Sequence, residues 1–329
     1  MKLKPGWRHV KLSDIAKIKS GSTPLRAEGE RYFSTAGTPW VKTLDLNNGE
    51  IISTDEKITD TALLETSCSV FPVGTVLVAM YGGFNQIGRT GLLTIPAAIN
   101  QALSGLILDR DKAEPAYILN YLNGNVKLWK KFAASSRKDP NITRDDVCGF
   151  PVLLPPLAEQ KKIAKILSTW DNAISVTEKL LANSQQQKKA LMQQLLTGQK
   201  RLLDENGVRF SGEWVYLTFD NAFIVANKKS TQVKSSDYLQ SGSIPIIDQG
   251  QSRIAGYCNN LEVYSDVPVI VFGDHTRCVK WIEFVFCPGA DGTQVIKTSK
   301  ILEPKLGYYL LSNTDIPNLG YSRHMRELK

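Results

Sequence analysis

The sequence predicts an α+β protein in which two β-rich domains lie in tandem, joined by a long, coiled-coil-forming α-helix. Three observations carry this expectation. Residues 157–197 contain neither Pro nor Gly. The segments on either side break into short runs rich in Val, Ile and Leu, punctuated by turn residues. Those runs recur in the same order in both halves of the chain. The expected domains are residues 1–155, the helix at 156–199, and residues 200–329.

In the first domain, Asn47-Asn48-Gly49 is a strong turn signal between two apolar stretches. "CSVFPVGTVLVAM" and "ALSGLILD" read as strands because β-branched and aliphatic residues suit a half-buried pleated surface. Helical pattern appears briefly at "EPAYILNYLNG", with Pro115 near its start and Gly124 near its end.

"FPVLLPPLAEQ" then brings Pro155-Pro156, which cannot sit inside a helix but can precede one. Gly198 is placed as the stop. Steps of four and three from Ile163 trace a seam through Leu167, Trp170, Ile174, Thr177, Leu181, Ser184, Lys188, Leu191 and Leu195. Ile163, Leu167, Trp170, Ile174, Leu181, Leu191 and Leu195 are the apolar members, as in a helix-pairing stripe. The polar "NSQQQKKA" loosens the middle. At ~1.5 Å per residue such a helix spans roughly 60 Å, too long for a small globular core.

Strand-rich texture returns after Gly198 in "GEWVYLTFDNAFIVANKKS", "SIPIIDQG" and "VPVIVFGDHTRCVKWIEFVF". "TPWVKTLDL" corresponds to "SIPIIDQGQ", "VLVAMYGGFNQIGRTGLL" to "VIVFGDHTRCVKWIEFVF", "EPAYILNYLN" to "EPKLGYYLLSN", and "NITRDDV" to "YSRHMREL". The shared order implies one long internal repeat.

The chain carries a formal net charge of +8 and a pI near 9.1, a balance that favours a polyanionic partner such as nucleic acid. No apolar run reaches the ~18 residues that span a bilayer. "MKLKPGWRHVKL" lacks the apolar core of a signal peptide. The five cysteines (Cys68, Cys148, Cys258, Cys278, Cys287) are scattered and form no C-x-x-C pair. A reducing cytoplasm without membrane association is the expected setting.

"YGGFNQIGRTG", residues 81–91, resembles a phosphate loop with Arg89 in the lysine position. Such a loop must open into a helix whose amides cradle the anion. Here a β-like run ended by Pro96 follows instead, so an NTPase is not expected. His9, His275 and His324 have no evident nucleophile partner, and no H-E-x-x-H or glycine-rich dinucleotide fingerprint occurs. Asp145-Asp146 reads as a solvated or capping pair rather than an acid–base couple. No catalytic, cofactor-binding or metal-binding residues are assigned.

A binding protein remains. Arg and Lys suit guanine edges and phosphates, Asn and Gln adenine edges. The candidate DNA-binding residues are Asn85, Gln86, Arg89, Arg137, Lys138 and Arg144 in the first half, and Arg253, His275, Arg277, Lys280, Arg323 and His324 in the second. The plain alternative for each is a solvated surface charge.

Here the pattern resembles the specificity subunit of type I restriction-modification systems. "FPVLLPPLAEQKKIAKILSTWDNAI" followed by "KKALMQQLLTGQKRL" is similar to that family's central conserved region, and "GWRHVKLSDIAKIKSGSTP" to the opening of its target recognition domains. The resemblance implies two target recognition domains, each reading half of a split double-stranded DNA target, and paired helices holding them apart. It implies no catalysis by this chain. Modification subunits would bring S-adenosylmethionine and adenine methylation, and restriction subunits ATP and Mg for translocation and cleavage. One departure stands out: the family pattern places a second "PPLxEQ" and a second long helix where this sequence ends at "YSRHMRELK". A shortened second domain is therefore expected, with the seam free for self-association or for a partner subunit. Two alternatives from other classes are a protein-binding scaffold using the long helix and a stand-alone DNA-modifying enzyme.

Overall fold

The computed structural model describes residues 4–83, 85–134, 141–317 and 324–325. The chain divides into two compact units, residues 1–177 and 178–329. The first contains β1 (Arg8–Lys11), α1 (Leu12–Ile15), β2 (Ala16–Ser20), β3 (Phe33–Ser34), β4 (Thr38–Val41), β5 (Glu50–Ile51), β6 (Lys57–Ile58), α2 (Asp60–Glu65), β7 (Val76–Ala79), β8 (Thr90–Leu93), β9 (Ala98–Ile99), β10 (Leu103–Leu108), α3 (Pro115–Gly124), α4 (Val126–Ala134), α5 (Arg144–Gly149) and β11 (Pro151–Leu154). The long helix α6 (Leu157–Leu196) follows, its residues shared between the two units. The second unit continues with α7 (Phe219–Ala222), β12 (Phe223–Val225), β13 (Ile244–Ile247), β14 (Gly256–Cys258), β15 (Val269–Gly273), β16 (Val279–Ile282), β17 (Cys287–Pro288), β18 (Thr293–Thr298) and α8 (Pro304–Asn313).

The main sheet of the first unit has the order β2-β10-β7-β8-β5. Its first four strands are antiparallel, and β5 joins β8 in parallel. Successive side chains of β7 go to opposite faces, as a pleated strand requires. Val76 and Val78 enter a core with Leu12, Ile118, Trp129, Val147 and Val152, where the helices pack. Leu77 and Ala79 enter a second core with Val41, Leu46, Ile51, Phe71 and Leu93. Each such aliphatic side chain contributes ~1.5–3 kcal/mol on full burial. Trp129 and Phe150 stack at 3.8 Å between ring centroids.

The second unit repeats the plan. Its sheet runs β12-β18-β15-β16, antiparallel like the first four strands of the other sheet. Strand β13 pairs β17 in parallel, as β4 pairs β9. Val269 and Val271 face one core, Ile270 and Phe272 another that includes Leu311 of α8. Short helices α1 and α7 immediately precede β2 and β12, and α3 and α8 both begin with Pro at their first position. The internal repeat is thus one of topology as well as of sequence.

The "PPLAEQ" motif is joinery. Pro155 and Pro156 precede α6, whose first turn carries Glu159 and Gln160. Glu159 Oε2 accepts a hydrogen bond from the Trp7 indole at 3.1 Å. The Gln160 amide is fully buried and satisfied: Nε2 donates to the carbonyls of Lys112 (3.0 Å) and Pro155 (2.9 Å), while Oε1 accepts from Glu114 N (2.9 Å). A buried amide with its polar groups paired fixes orientation where an apolar contact would slide. Beyond Ala164 the helix is largely exposed, with Trp170 at 67% and Ile174 at 55%.

Candidate nucleic-acid interface

The repeat places one loop of each unit at an equivalent position, the tip of the β7–β8 hairpin and the tip of the β15–β16 hairpin. The closing bonds match one for one. Gly88 N donates to Ala79 O at 3.0 Å and Ala79 N to Arg89 O at 2.9 Å; Arg277 N donates to Gly273 O at 2.8 Å and Gly273 N to Cys278 O at 2.8 Å. The flanking contacts match as well. Met80 O accepts from Ile142 N at 3.0 Å, and Asp274 O accepts from His324 N at 2.9 Å. Between these closures the first tip holds residues 80–88 and the second only residues 274–277.

The first tip is wedged by Ile87, which is buried in the helix-side core, while Asn85 is exposed and Gln86 and Arg89 are half-buried. Gln86 Oε1 is buried without a hydrogen-bond partner among the described residues. The expected turn at Asn47-Asn48-Gly49 is present, with Gly49 N donating to Asn47 Oδ1 at 2.9 Å, and it also braces the base of the loop. Asn48, at φ 62°, accepts from Thr90 N through its side chain (3.1 Å), and its carbonyl accepts from Asn123 Nδ2 (2.7 Å). Thr90 Oγ1 in turn donates to Asn123 Oδ1 at 2.5 Å. Arg144 is exposed at the start of α5, and its Nη2 donates to Ile18 O at 3.2 Å. Asp146 forms a capping box with Thr143, so the Asp145-Asp146 pair does serve a helix start. Thr90 opens strand β8, not a helix, so the loop lacks the frame of a phosphate cradle.

In the second tip, His275 is half-buried and Arg277 exposed, with Arg277 Nη1 donating to Ile316 O at 2.9 Å. Arg253 is exposed, 5.6 Å from the Phe284 ring. Lys280 and His324 differ from the expectation of surface contacts. Lys280 Nζ donates to the carbonyls of Asp248 and Ser252, both at 2.7 Å, and burial is the main influence lowering its pKa. His324 is fully buried, its Nδ1 2.7 Å from Asp274 O. Both are engaged internally because they emerge on core-facing positions. Arg137, Lys138 and Arg323 lie outside the described residues. Gln249, not among the sequence candidates, links the second tip to its neighbouring loop: its Oε1 accepts from His275 N at 3.2 Å and its carbonyl accepts from Thr276 Oγ1.

Of the seam residues, Ile163 packs against the first unit's core and Leu195 is half-buried. Leu167, Trp170, Ile174, Leu181 and Leu191 are exposed. Leu191, Met192, Leu195 and Leu196 line a groove of about 440 Å³ with Tyr309 of α8. Among the described residues no helix is long and apolar enough to cross a membrane.

The sequence model of the type I restriction modification DNA specificity domain matches residues 4–183, more than half of the chain. The chain belongs to this family. It is 28% identical over 182 residues to the type I restriction enzyme MjaIX specificity subunit of Methanocaldococcus jannaschii, covering 54% of this chain and 41% of that protein. To the EcoR124I/EcoR124II specificity subunit of Escherichia coli it is 23% identical over 175 residues, covering 51% and 42%. The chain therefore spans about two fifths of the length of these specificity subunits. Among solved structures, the type I restriction-modification S subunit from M. genitalium superposes with a TM-score of 0.60 at 15% identity, over 95% of this chain and 79% of that one. A chain from a study of complex assembly and conformational transition of the type I R-M system gives 0.52 at 18% identity, over 98% and 84%. At such identities the likeness is one of fold, and it extends beyond the first unit to nearly the whole specificity-family chain described here.

Proposed function

We propose that the chain is the non-catalytic sequence-specificity subunit of a type I restriction-modification complex. Each unit reads one part of a bipartite double-stranded DNA target. The observation that carries this reading is the pair of equivalent hairpins, closed by the same bonds but ending in tips of different length and composition. A duplicated frame with divergent tips suits two heads that perform one task on different base sequences. Asn85, Gln86, Arg89 and Arg144 in the first unit, and Arg253, His275 and Arg277 in the second, are the described candidates for base or phosphate contact. The net charge of +8 supports a polyanionic partner.

On this reading methylation and cleavage belong to partner subunits, which bring S-adenosylmethionine, ATP and Mg, in the cytoplasm. The exposed apolar residues of α6 are the surface on which modification subunits dock or a second copy pairs. Comparing the genomic methylation pattern of the source strain with and without this chain tests the proposal. Loss of one bipartite adenine motif is expected, and an unchanged pattern would overturn it. A second reading, a scaffold that binds only protein through α6, is favoured by that same exposed stripe. Gel shifts at several salt concentrations separate the two: DNA binding falls steeply with salt as counterions are released, and a scaffold gives no shift.

A further inference from the structure

We propose that Lys280 is a positioning residue for target reading by the second unit, holding the loop 248–252, and through it the hairpin tip, in the shape presented to DNA. The inference rests on the DNA-specificity reading above and deepens it.

The side chain of Lys280 is 7% exposed. Its ammonium donates to Asp248 O and Ser252 O, each at 2.7 Å, and lies 3.7 Å from Asp248 Oδ1. Those carbonyls are the first and last of the segment, so one cation closes the loop across its mouth. Asp248 Oδ1 also accepts from Gly250 N at 2.8 Å. From the middle of the loop Gln249 grips the tip through His275 N and Thr276 Oγ1. The exposed Gln251 and Arg253 stand at the loop's outer side. A chain of bonds thus runs from Lys280 to the loop 248–252 to residues 275–276, with the Lys280 side chain almost wholly buried beneath the surface it shapes.

The repeat supports the role independently. Ala79 and Gly273 occupy the same place in the two hairpin closures. Two residues earlier, Leu77 pairs with Gly91 and Val271 with Lys280. Gly91 and Lys280 are therefore equivalent positions. In the first unit, a Cβ at Gly91 would lie 2.9 Å from Leu46 Cδ2 and Ile51 Cγ1, because the chain after β4 packs there. In the second unit the chain after β13 is held over Lys280. The same strand position fastens the corresponding loop in both units, by apolar contact in one and by a buried ammonium in the other.

The test uses the full chain with wild type, K280M and Gln249→Ala, selecting targets from a randomised duplex pool. It then measures affinity against salt and amide hydrogen exchange without DNA. K280M and Gln249→Ala should each keep the first half-site and lose tenfold or more of the preference at the second. For K280M the slope of log affinity against log salt should stay unchanged and exchange in residues 248–252 should rise. A slope reduced by about one would mean a phosphate contact and overturn the proposal. So would an unchanged second half-site preference in both variants. Should K280M fail to fold, Gln249→Ala decides alone, since it removes the side-chain link from the loop to His275 N, leaving only the backbone carbonyl bond to Thr276, without burying or exposing a charge. A wild type that selects no sequence would overturn the specificity reading together with this role, whereas a wild type that selects a target shared by both variants would overturn this role only.

Discussion

Gly88 and Arg277 occupy the same position in two copies of one hairpin, and both adopt left-handed backbone, at φ 76° and 59°. Glycine takes that conformation without strain, whereas a residue with a Cβ does so at a cost of ~1–2 kcal/mol. In the first unit glycine is required twice over, because a Cβ at Gly88 would lie 2.8 Å from Cβ and Cδ1 of Trp129. Gly88→Ala should therefore destabilise the first unit by about 2–4 kcal/mol, combining backbone strain with overpacking. Arg277→Gly should change stability by less than about 1 kcal/mol, since relief of strain offsets the lost bond to Ile316 O. Thermal unfolding of both variants checks the contrast.

Gln160→Ala should lower stability by about 2–3 kcal/mol, because three backbone groups, one buried and two part-buried, lose their partners at once. Gln160→Glu should be worse than Gln160→Asn in the same assay, since it buries a charge with two carbonyl oxygens facing it. Equal effects of the two would mean that the amide site is open to water.

On the DNA-reading role proposed above, Arg89→Ala should weaken discrimination at the first half-site by about 1–3 kcal/mol, the range for a base-contacting arginine. Unfolding should be unaffected, because no hydrogen bond or ion pair engages its guanidinium among the described residues. A drop in Tm with intact discrimination would assign Arg89 to structure instead.

Glu56 bridges Arg26 and Lys42 at 2.6 Å each. Hydrogen bonds from Arg26 first and Lys42 second hold its carboxyl below the usual glutamate range. A carboxylate with a lowered folded pKa contributes stability that is full above its unfolded pKa and is lost as pH falls through the folded value. The first unit should therefore lose stability below about pH 4.5 in part through this group. Glu56→Gln should flatten that acid limb while costing little at pH 7, as surface pairs are weak. Denaturant titrations at pH 3 to 7 measure it.

Much of this architecture was legible in the sequence. The bounds of α6 followed from an uninterrupted stretch free of Pro and Gly, and the repeat from shared motif order. The short helices α2 and α4 were not, because six to nine residues give too few turns for a period to stand out. Among the candidate contacts, Lys280 misled because lysine is rarely buried. A signal existed: in "VKWI" strict alternation sets Lys280 on the face of Ile282, which packs in the core with Val271 and Val295. His324 offered no such cue, since its burial depends on a bond to Asp274, fifty residues away in the chain. The brace of Asn48, Thr90 and Asn123 was invisible for the same reason.

The unlike occupants of one strand position, Gly91 and Lys280, restrict how chimaeras between the units can be cut. A crossover that carried β16 into the first unit without its loop would drive an ammonium into the space filled by Leu46 and Ile51. The reciprocal exchange would leave the carbonyls of Asp248 and Ser252 with nothing to hold them. Recombination that preserves folding has to move hairpin and neighbouring loop together; on the proposed DNA-reading role, the whole β-rich unit, rather than any single peptide, is then the piece that must be exchanged for a change of target.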